Sequence, residues 1–209
     1  MKKIDYTQWK RKEHFEFFAG FEDPSFGIMS EIECTSAYTF CKENKHSFFA
    51  YYLHRALLAT KEVDEFRYRI LDGEVVIFDE IHAGPTIARD DGTFGFSFIA
   101  FNRDFQVFSN ALDQEIENVK NSSGLRKSVD GERVNVIYFS TLPWVSITAL
   151  KHPFSSMEKG GIPKITFGKM FTREERYFLP VSIQAHHGLI DGLHVANYLE
   201  SFQKLLTRY

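Results

Sequence analysis

Apolar residues recur along this chain with two periods, one near 3.6 and one of 2, and the switches between them predict its elements. A helical spacing over Thr7 to Phe18 predicts a first helix with Thr7 as N-cap, and Phe26 to Glu33 alternates like a strand. Thr35 to Lys42 predicts a short helix. His46 to Lys61 predicts a longer one, with Phe49, Tyr52, Leu53, Ala56 and Leu57 on its apolar face. Phe66 to Leu71 and Glu74 to Asp79 flank Asp72-Gly73, a dipeptide suited to a two-residue hairpin turn. Further strands are predicted over Thr86 to Arg89 and Thr93 to Phe101, around Asp91-Gly92.

Asp104 is placed to cap a helix reaching Lys120, with Phe105, Phe108, Leu112, Ile116 and Val119 as its buried stripe. Asn121 to Gly131 reads as a polar loop. Val134 to Ser140 and Trp144 to Ala149 predict strands interrupted at Leu142-Pro143, followed by strands over Lys164 to Phe171 and Tyr177 to Ala185. A last helix, from about Leu193 to Leu206, buries Val195, Leu199, Phe202 and Leu206. Helices and strands are mixed without regular βαβ alternation. The expected class is therefore α+β: a two-layer sandwich with a large mixed, mostly antiparallel sheet covered by helices. With 209 residues, no repeat and no long linker, one domain spanning 1–209 is expected.

Composition narrows the function classes. A net charge of -3 without a basic block argues against a nucleic-acid partner. No apolar run is long enough to span a bilayer, and no secretory signal follows Met1-Lys2-Lys3, so a cytoplasmic protein without membrane association is expected. Cys34 and Cys41, seven apart, suit neither a disulfide framework nor a zinc knuckle and read as buried thiols. Many of the 22 Phe and 9 Tyr must pack inside, and core packing accounts best for any single ring, but so many rings also suit an aromatic small-molecule pocket or a subunit interface.

The candidate chemistry lies in Gln184-Ala185-His186-His187-Gly188-Leu189-Ile190-Asp191-Gly192, at a strand-turn-helix junction. A histidine delivered there can serve as a general base, because imidazole ionises near neutral pH. Asp191 is placed to cap the final helix and fold back toward the His loop, and it needs a cation beside it. Arg11 is one of many candidates for that cation. Adjacent residues of an extended segment face opposite ways, so His186 and His187 do not readily share a metal, and no metal is expected. His14, His46, His54, His82 and His152 have no partner at ligand spacing and read as surface or hydrogen-bonded polar residues.

Several segments in series resemble the chloramphenicol acetyltransferases over nearly the whole length: Gln8 to Phe15, Glu65-Phe66-Arg67, Asp72-Gly73-Glu74, Pro143-Trp144-Val145-Ser146, Thr166-Phe167-Gly168-Lys169 and Gln184 to Val195. The resemblance implies an acetyl-CoA-dependent O-acetyltransferase that acetylates the primary hydroxyl of chloramphenicol, by direct attack on the thioester. It implies His187 as the general base, Ser140 as the oxyanion donor, and Thr166 as the holder of a water near the intermediate. Asp191 and Arg11 would form an ion pair bracing the His loop, His186 would pack, and Phe18 and Trp144 would lie against the substrates. It also implies a homotrimer with sites at the subunit interfaces, coenzyme A entering each tunnel opposite the acceptor. Read from the residues alone, Trp144 and Phe139 are equally core, and Ser140 and Thr166 ordinary strand residues.

The departures from the family pattern fall mostly on the acceptor side. Leu125-Arg126-Lys127-Ser128-Val129 replaces a Phe-Pro pair, Glu22 stands at an apolar position, Gly160-Gly161 replaces an aromatic-rich approach, and Met170 replaces an aromatic near coenzyme A. They motivate two rival expectations: the same mechanism on another hydroxyl-bearing small molecule, or a non-catalytic small-molecule binding protein.

Overall fold

A computed structural model describes residues 1–127, 129, 133–153 and 160–208. In chain order the elements are β1 (Lys2–Lys3), α1 (Lys12–Ala19), β2 (Ser25–Glu33), α2 (Thr35–Glu43) and α3 (Phe48–Ala59). Next come β3 (Tyr68–Leu71), β4 (Glu74–Ile77), β5 (His82–Ala88), β6 (Phe94–Phe96) and α4 (Phe105–Lys120). The chain finishes with β7 (Val136–Thr141), β8 (Lys164–Phe167), β9 (Phe171–Arg173), β10 (Arg176–His186) and α5 (Gly192–Leu206). Among the described residues the main sheet has seven strands, ordered β2-β10-β8-β7-β5-β6 with β9 also on β10. Only β5–β7 and β7–β8 pair parallel; the other pairings are antiparallel, as expected for a mixed, mostly antiparallel sheet. A separate small sheet runs β1-β4-β3.

The period-2 pattern explains the two layers. Ile137, Phe139, Ile165, Phe167, Val181, Ile183 and Ala185 alternate onto one face of the sheet and are buried. The helices cover that face: Tyr52 of α3 and Phe202 of α5 both reach the Phe167 ring, with centroids 4.5 and 6.0 Å away. Ser47 caps α3 by accepting from the Ala50 N–H at 3.2 Å, and Asp104 caps α4 by accepting from Gln106 and Val107. Asp72 and Gly73 both take positive φ (50° and 80°), so the β3–β4 hairpin closes through the turn that only such residues make cheaply. Arg69 is fully buried and donates to the carbonyls of Phe66, Tyr68, Val134 and Val136, clamping that hairpin to the start of β7. Burial pushes its pKa down to about 9, so the guanidinium still carries its charge at neutral pH.

Three sequence expectations fail for local reasons. The first helix starts at Lys12, not Thr7, because the Asp5 carboxylate captures both the hydroxyl and the N–H of Thr7 in a turn. Trp144 to Ala149 is not a strand: after Pro143 it lies mostly on the surface, with the Lys169 N–H donating to the Val145 carbonyl at 3.1 Å. The strand expected over Lys164 to Phe171 ends at Phe167 and resumes as β9; between them Gly168 leaves no room for a Cβ beside Ile147 and Pro180. Cys34 and Cys41 are buried and unpaired, and burial pushes their thiols up to about 12 and 11. Among the described residues, no helix is long and apolar enough to cross a membrane.

Candidate active site

Strand β10 ends at His186, and residues 187–191 turn the chain into α5 at Gly192. The turn is closed by Leu189 and Ile190 N–H groups donating to the His186 carbonyl, each at 3.0 Å, and by the Gly188 N–H donating to His186 Nδ1 at 3.1 Å. Gly188 lets the turn pack closely, since a Cβ there would crowd the His186 ring and the Phe15 backbone at 3.0–3.1 Å. Burial pushes the His186 pKa down to about 4, so this ring stays neutral and serves as an acceptor within the turn.

His187 stands apart from that arrangement. Its N–H donates to the Pro24 carbonyl at 2.8 Å, and its ring stacks against Phe18 and Phe26, with both centroids 4.3 Å away. Its Nδ1 is enclosed without a hydrogen-bond partner among the described residues. The ring is therefore held by its backbone and two aromatic faces.

An ion network braces the loop from below. Arg11 donates through one guanidinium nitrogen to the Asp191 carboxylate and through the other to the His187 carbonyl at 3.0 Å. Asp191 caps α5 by accepting from the Leu193 N–H, and His194 Nδ1 accepts from the Asp191 N–H at 3.0 Å, completing a reciprocal capping box. His194 Nε2 faces the Glu65 carboxylate at 3.4 Å. Burial pushes the Asp191 carboxyl up, but the hydrogen bond from Arg11 and the electrostatic influence of the neighbouring His194 and Arg11 outweigh it and hold it below the usual range. Neither His194 nor Glu65 stood out as a supporting residue in the sequence; an i,i+3 Asp-x-x-His after a turn is the only local trace of the first.

Ser140 and Thr166 come together elsewhere. They are register partners on the parallel pair β7–β8, on the sheet face turned away from the helices. Ser140 is half-buried and accepts from the Thr86 hydroxyl at 3.5 Å, whereas Thr166 is fully buried with its Oγ1 2.9 Å from His152 Nε2. Thr166 pairs in turn with Ser182 of β10, five residues before His187. At about 3.3 Å per residue that separation is on the order of 15 Å along the strand, with Ser140 one strand further across. Within one chain, then, the structure joins Ser140 to Thr166 and joins His187 to Asp191 and Arg11, but does not bring the two groups together.

Two cavities flank these groups. One, of about 490 Å³, is lined by Phe48, Phe49, Tyr52, Thr141, Trp144 and Met170, with Lys120 at its edge. Trp144 is 69% exposed, which excludes the core reading of this ring, while Phe139 is buried. The other, of about 620 Å³, is bordered by Phe21, Glu22, Asp72, Lys164, Gln184 and His186, with Gly160 and Gly161 in its wall. Of the loop expected to depart from the family, Ser128 lies outside the described residues; Leu125 is exposed, and Arg126 pairs with Glu115 at 2.6 Å. Among the described residues, no group of three or more His, Cys, Asp or Glu is placed to hold a metal.

Residues 1–203 match the family model described as chloramphenicol acetyltransferase. The chain belongs to the chloramphenicol acetyltransferase family. Chloramphenicol acetyltransferases of Klebsiella sp and Escherichia coli are each 30% identical over 202 residues, covering 96% of this chain and 91% of theirs. One from Proteus mirabilis is 29% identical over 96% of this chain and 92% of its own. A solved chloramphenicol acetyltransferase superposes with a TM-score of 0.90 at 31% identity, covering 99% of this chain and all of the other. A dihydrolipoamide acetyltransferase from Azotobacter vinelandii shares the fold at a TM-score of 0.71 and 14% identity, over 88% of this chain and 82% of that one. The family membership makes this chain an acyltransferase.

Proposed function

We propose that the protein transfers acetyl from acetyl-CoA to the primary hydroxyl of chloramphenicol. The observation that carries the reading is the division of chemistry within one chain. His187 is presented on a braced turn, and the Ser140–Thr166 hydroxyl pair lies on the order of 15 Å away along the sheet. Such an arrangement is completed when His187 of one copy faces the hydroxyl pair of another; in this reading the enzyme is a single-domain, cytoplasmic homotrimer with its sites at the subunit interfaces. The exposed rings of Phe17 and Phe21, packed on Phe18 beside His187, suit coverage by that second copy.

In this reading His187 accepts the proton of the acceptor hydroxyl as its oxygen attacks the thioester carbonyl. The oxyanion of the tetrahedral intermediate takes a hydrogen bond from Ser140, and as the bond to sulfur breaks the His187 imidazolium returns the proton to the departing thiolate, leaving free coenzyme A. Thr166 holds a water beside it, and Arg11–Asp191 keeps the His187 turn in place. The 490 Å³ cavity, apolar with a lysine at its edge, suits the pantetheine arm and a phosphate of coenzyme A, with Trp144 against it. Phe18 forms one wall on the acceptor side.

The test is release of coenzyme A thiol with and without chloramphenicol. His187→Ala is expected to reduce the drug-dependent rate by about 10³-fold; equal rates would remove His187 from the mechanism. A second reading keeps the mechanism and changes the acceptor, favoured by the charged groups Glu22, Asp72 and Lys164 around the 620 Å³ cavity. A panel of hydroxyl-bearing acceptors decides between them, and efficient turnover of chloramphenicol rejects the second.

A further inference from the structure

On the acyl-transfer reading above, we propose that His152 is a positioning residue for the reaction, holding the Thr166 hydroxyl so that its proton points toward Ser140 and the reacting oxygen. The imidazole Nε2 lies 2.9 Å from Thr166 Oγ1, and Thr166 is the direct register partner of Ser140. Whatever orients the Thr166 hydroxyl therefore acts one side chain away from the proposed oxyanion donor.

His152 lies in an irregular segment, yet its backbone is tied down by a chain of hydrogen bonds with a defined direction. Asp23 accepts from the Ser25 hydroxyl at 2.5 Å, and that bond is the main reason its carboxyl is held below the usual range. An ionised carboxylate can only accept, so the Ser25 proton is committed to it. Ser25 Oγ then accepts from Gln184 Nε2 at 3.1 Å, which leaves Gln184 Oε1 to accept from the His152 N–H at 3.0 Å. Gln184 and Thr166 both lie on the sheet face turned from the helices, and both residues are buried, while the Asp23–Ser25 end of the seam borders the 620 Å³ cavity. A hydroxyl has one proton. If His152 donates to Thr166 Oγ1, that proton remains free for the site; if Thr166 donates to His152, the site loses it. The proposal is the first arrangement, with the imidazole proton on Nε2.

The experiment is steady-state kinetics on the full chain for wild type, His152→Leu, His152→Gln, His152→Glu, Thr166→Val and the His152→Leu/Thr166→Val double variant, with His187→Ala as control and thermal melts to establish folding. Loss of one orienting hydrogen bond is expected to lower kcat about tenfold in His152→Leu, with the KM for acetyl-CoA unchanged. His152→Gln, which retains a donor, is expected to recover to within about threefold of wild type. His152→Glu, an acceptor only, is expected to be no better than the leucine variant. In the Thr166→Val background the leucine substitution is expected to cost less than about twofold, because the partner is gone. An unchanged kcat in folded His152→Leu, the same tenfold loss without the Thr166 hydroxyl, or a glutamate variant as active as glutamine would overturn the inference. If His187→Ala retains drug-dependent thiol release, the acyl-transfer reading falls and the inference falls with it; if it loses release while His152→Leu is unaffected, only the inference falls.

Discussion

The two halves of the proposed site are built by opposite means. The Ser140–Thr166 pair sits in the interior of a seven-stranded sheet, where backbone pairing on both sides sets position and the side chains need only alternate correctly. His187 sits on a turn beyond the end of β10, where the ladder has stopped, and its place depends on Arg11, Asp191, His194 and the Pro24 carbonyl. A residue in a sheet inherits its geometry from the register, whereas one on a turn acquires it from side chains brought from distant parts of the chain. The first half is thus expected to separate activity from stability, and the second to couple them.

The largest effect that tests this contrast, after removal of His187 itself, is on the sheet side. Ser140→Ala is expected to lower kcat by about 10²–10³-fold while leaving the melting temperature near wild type, since a half-buried hydroxyl is lost and the ladder is not. A matching fall in melting temperature would blur the distinction. On the turn side, Asp191→Ala removes both the α5 cap and the partner of a nearly buried guanidinium. It is expected to cost about 1–3 kcal/mol in denaturant unfolding, the lower end reflecting the partial exposure of the carboxylate, and to reduce kcat as well. Loss of stability without loss of rate would show that the brace serves the fold alone.

The same ion pair predicts a pH signature. Asp191 is held below its ordinary carboxylate value in the folded protein. Its contribution is therefore fully present above about pH 4 and is lost as pH falls through the folded value. Acid unfolding of Asp191→Asn should lack this component; identical acid limbs for wild type and variant would remove Asp191 from the account. The smallest expected effect is at the cavity edge. Trp144→Ala is expected to raise the KM for acetyl-CoA several-fold, on the order of one aromatic contact, with kcat little changed.

The helical and strand periods determine most of the elements by themselves, because burial of one face per element is a local pattern. Where they mislead, a local competitor is at work: Asp5 captures Thr7 before a helix can start, and Pro143 releases the next residues from the sheet. The His-x-x-x-Asp-Gly turn was likewise legible, because cap, glycine and histidine are neighbours in the chain.

Only the tertiary structure decided what meets across sequence distance. His194 faces Glu65, His152 meets Thr166, and Arg69 clamps a hairpin to β7, while Arg11 reaches Asp191 as the family resemblance, though not the spacing, implied. A side chain in a linear sequence carries its chemistry but not its partner. These pairs arise because strand order folds remote segments side by side, and single Arg or His residues leave no periodic trace of where they will land.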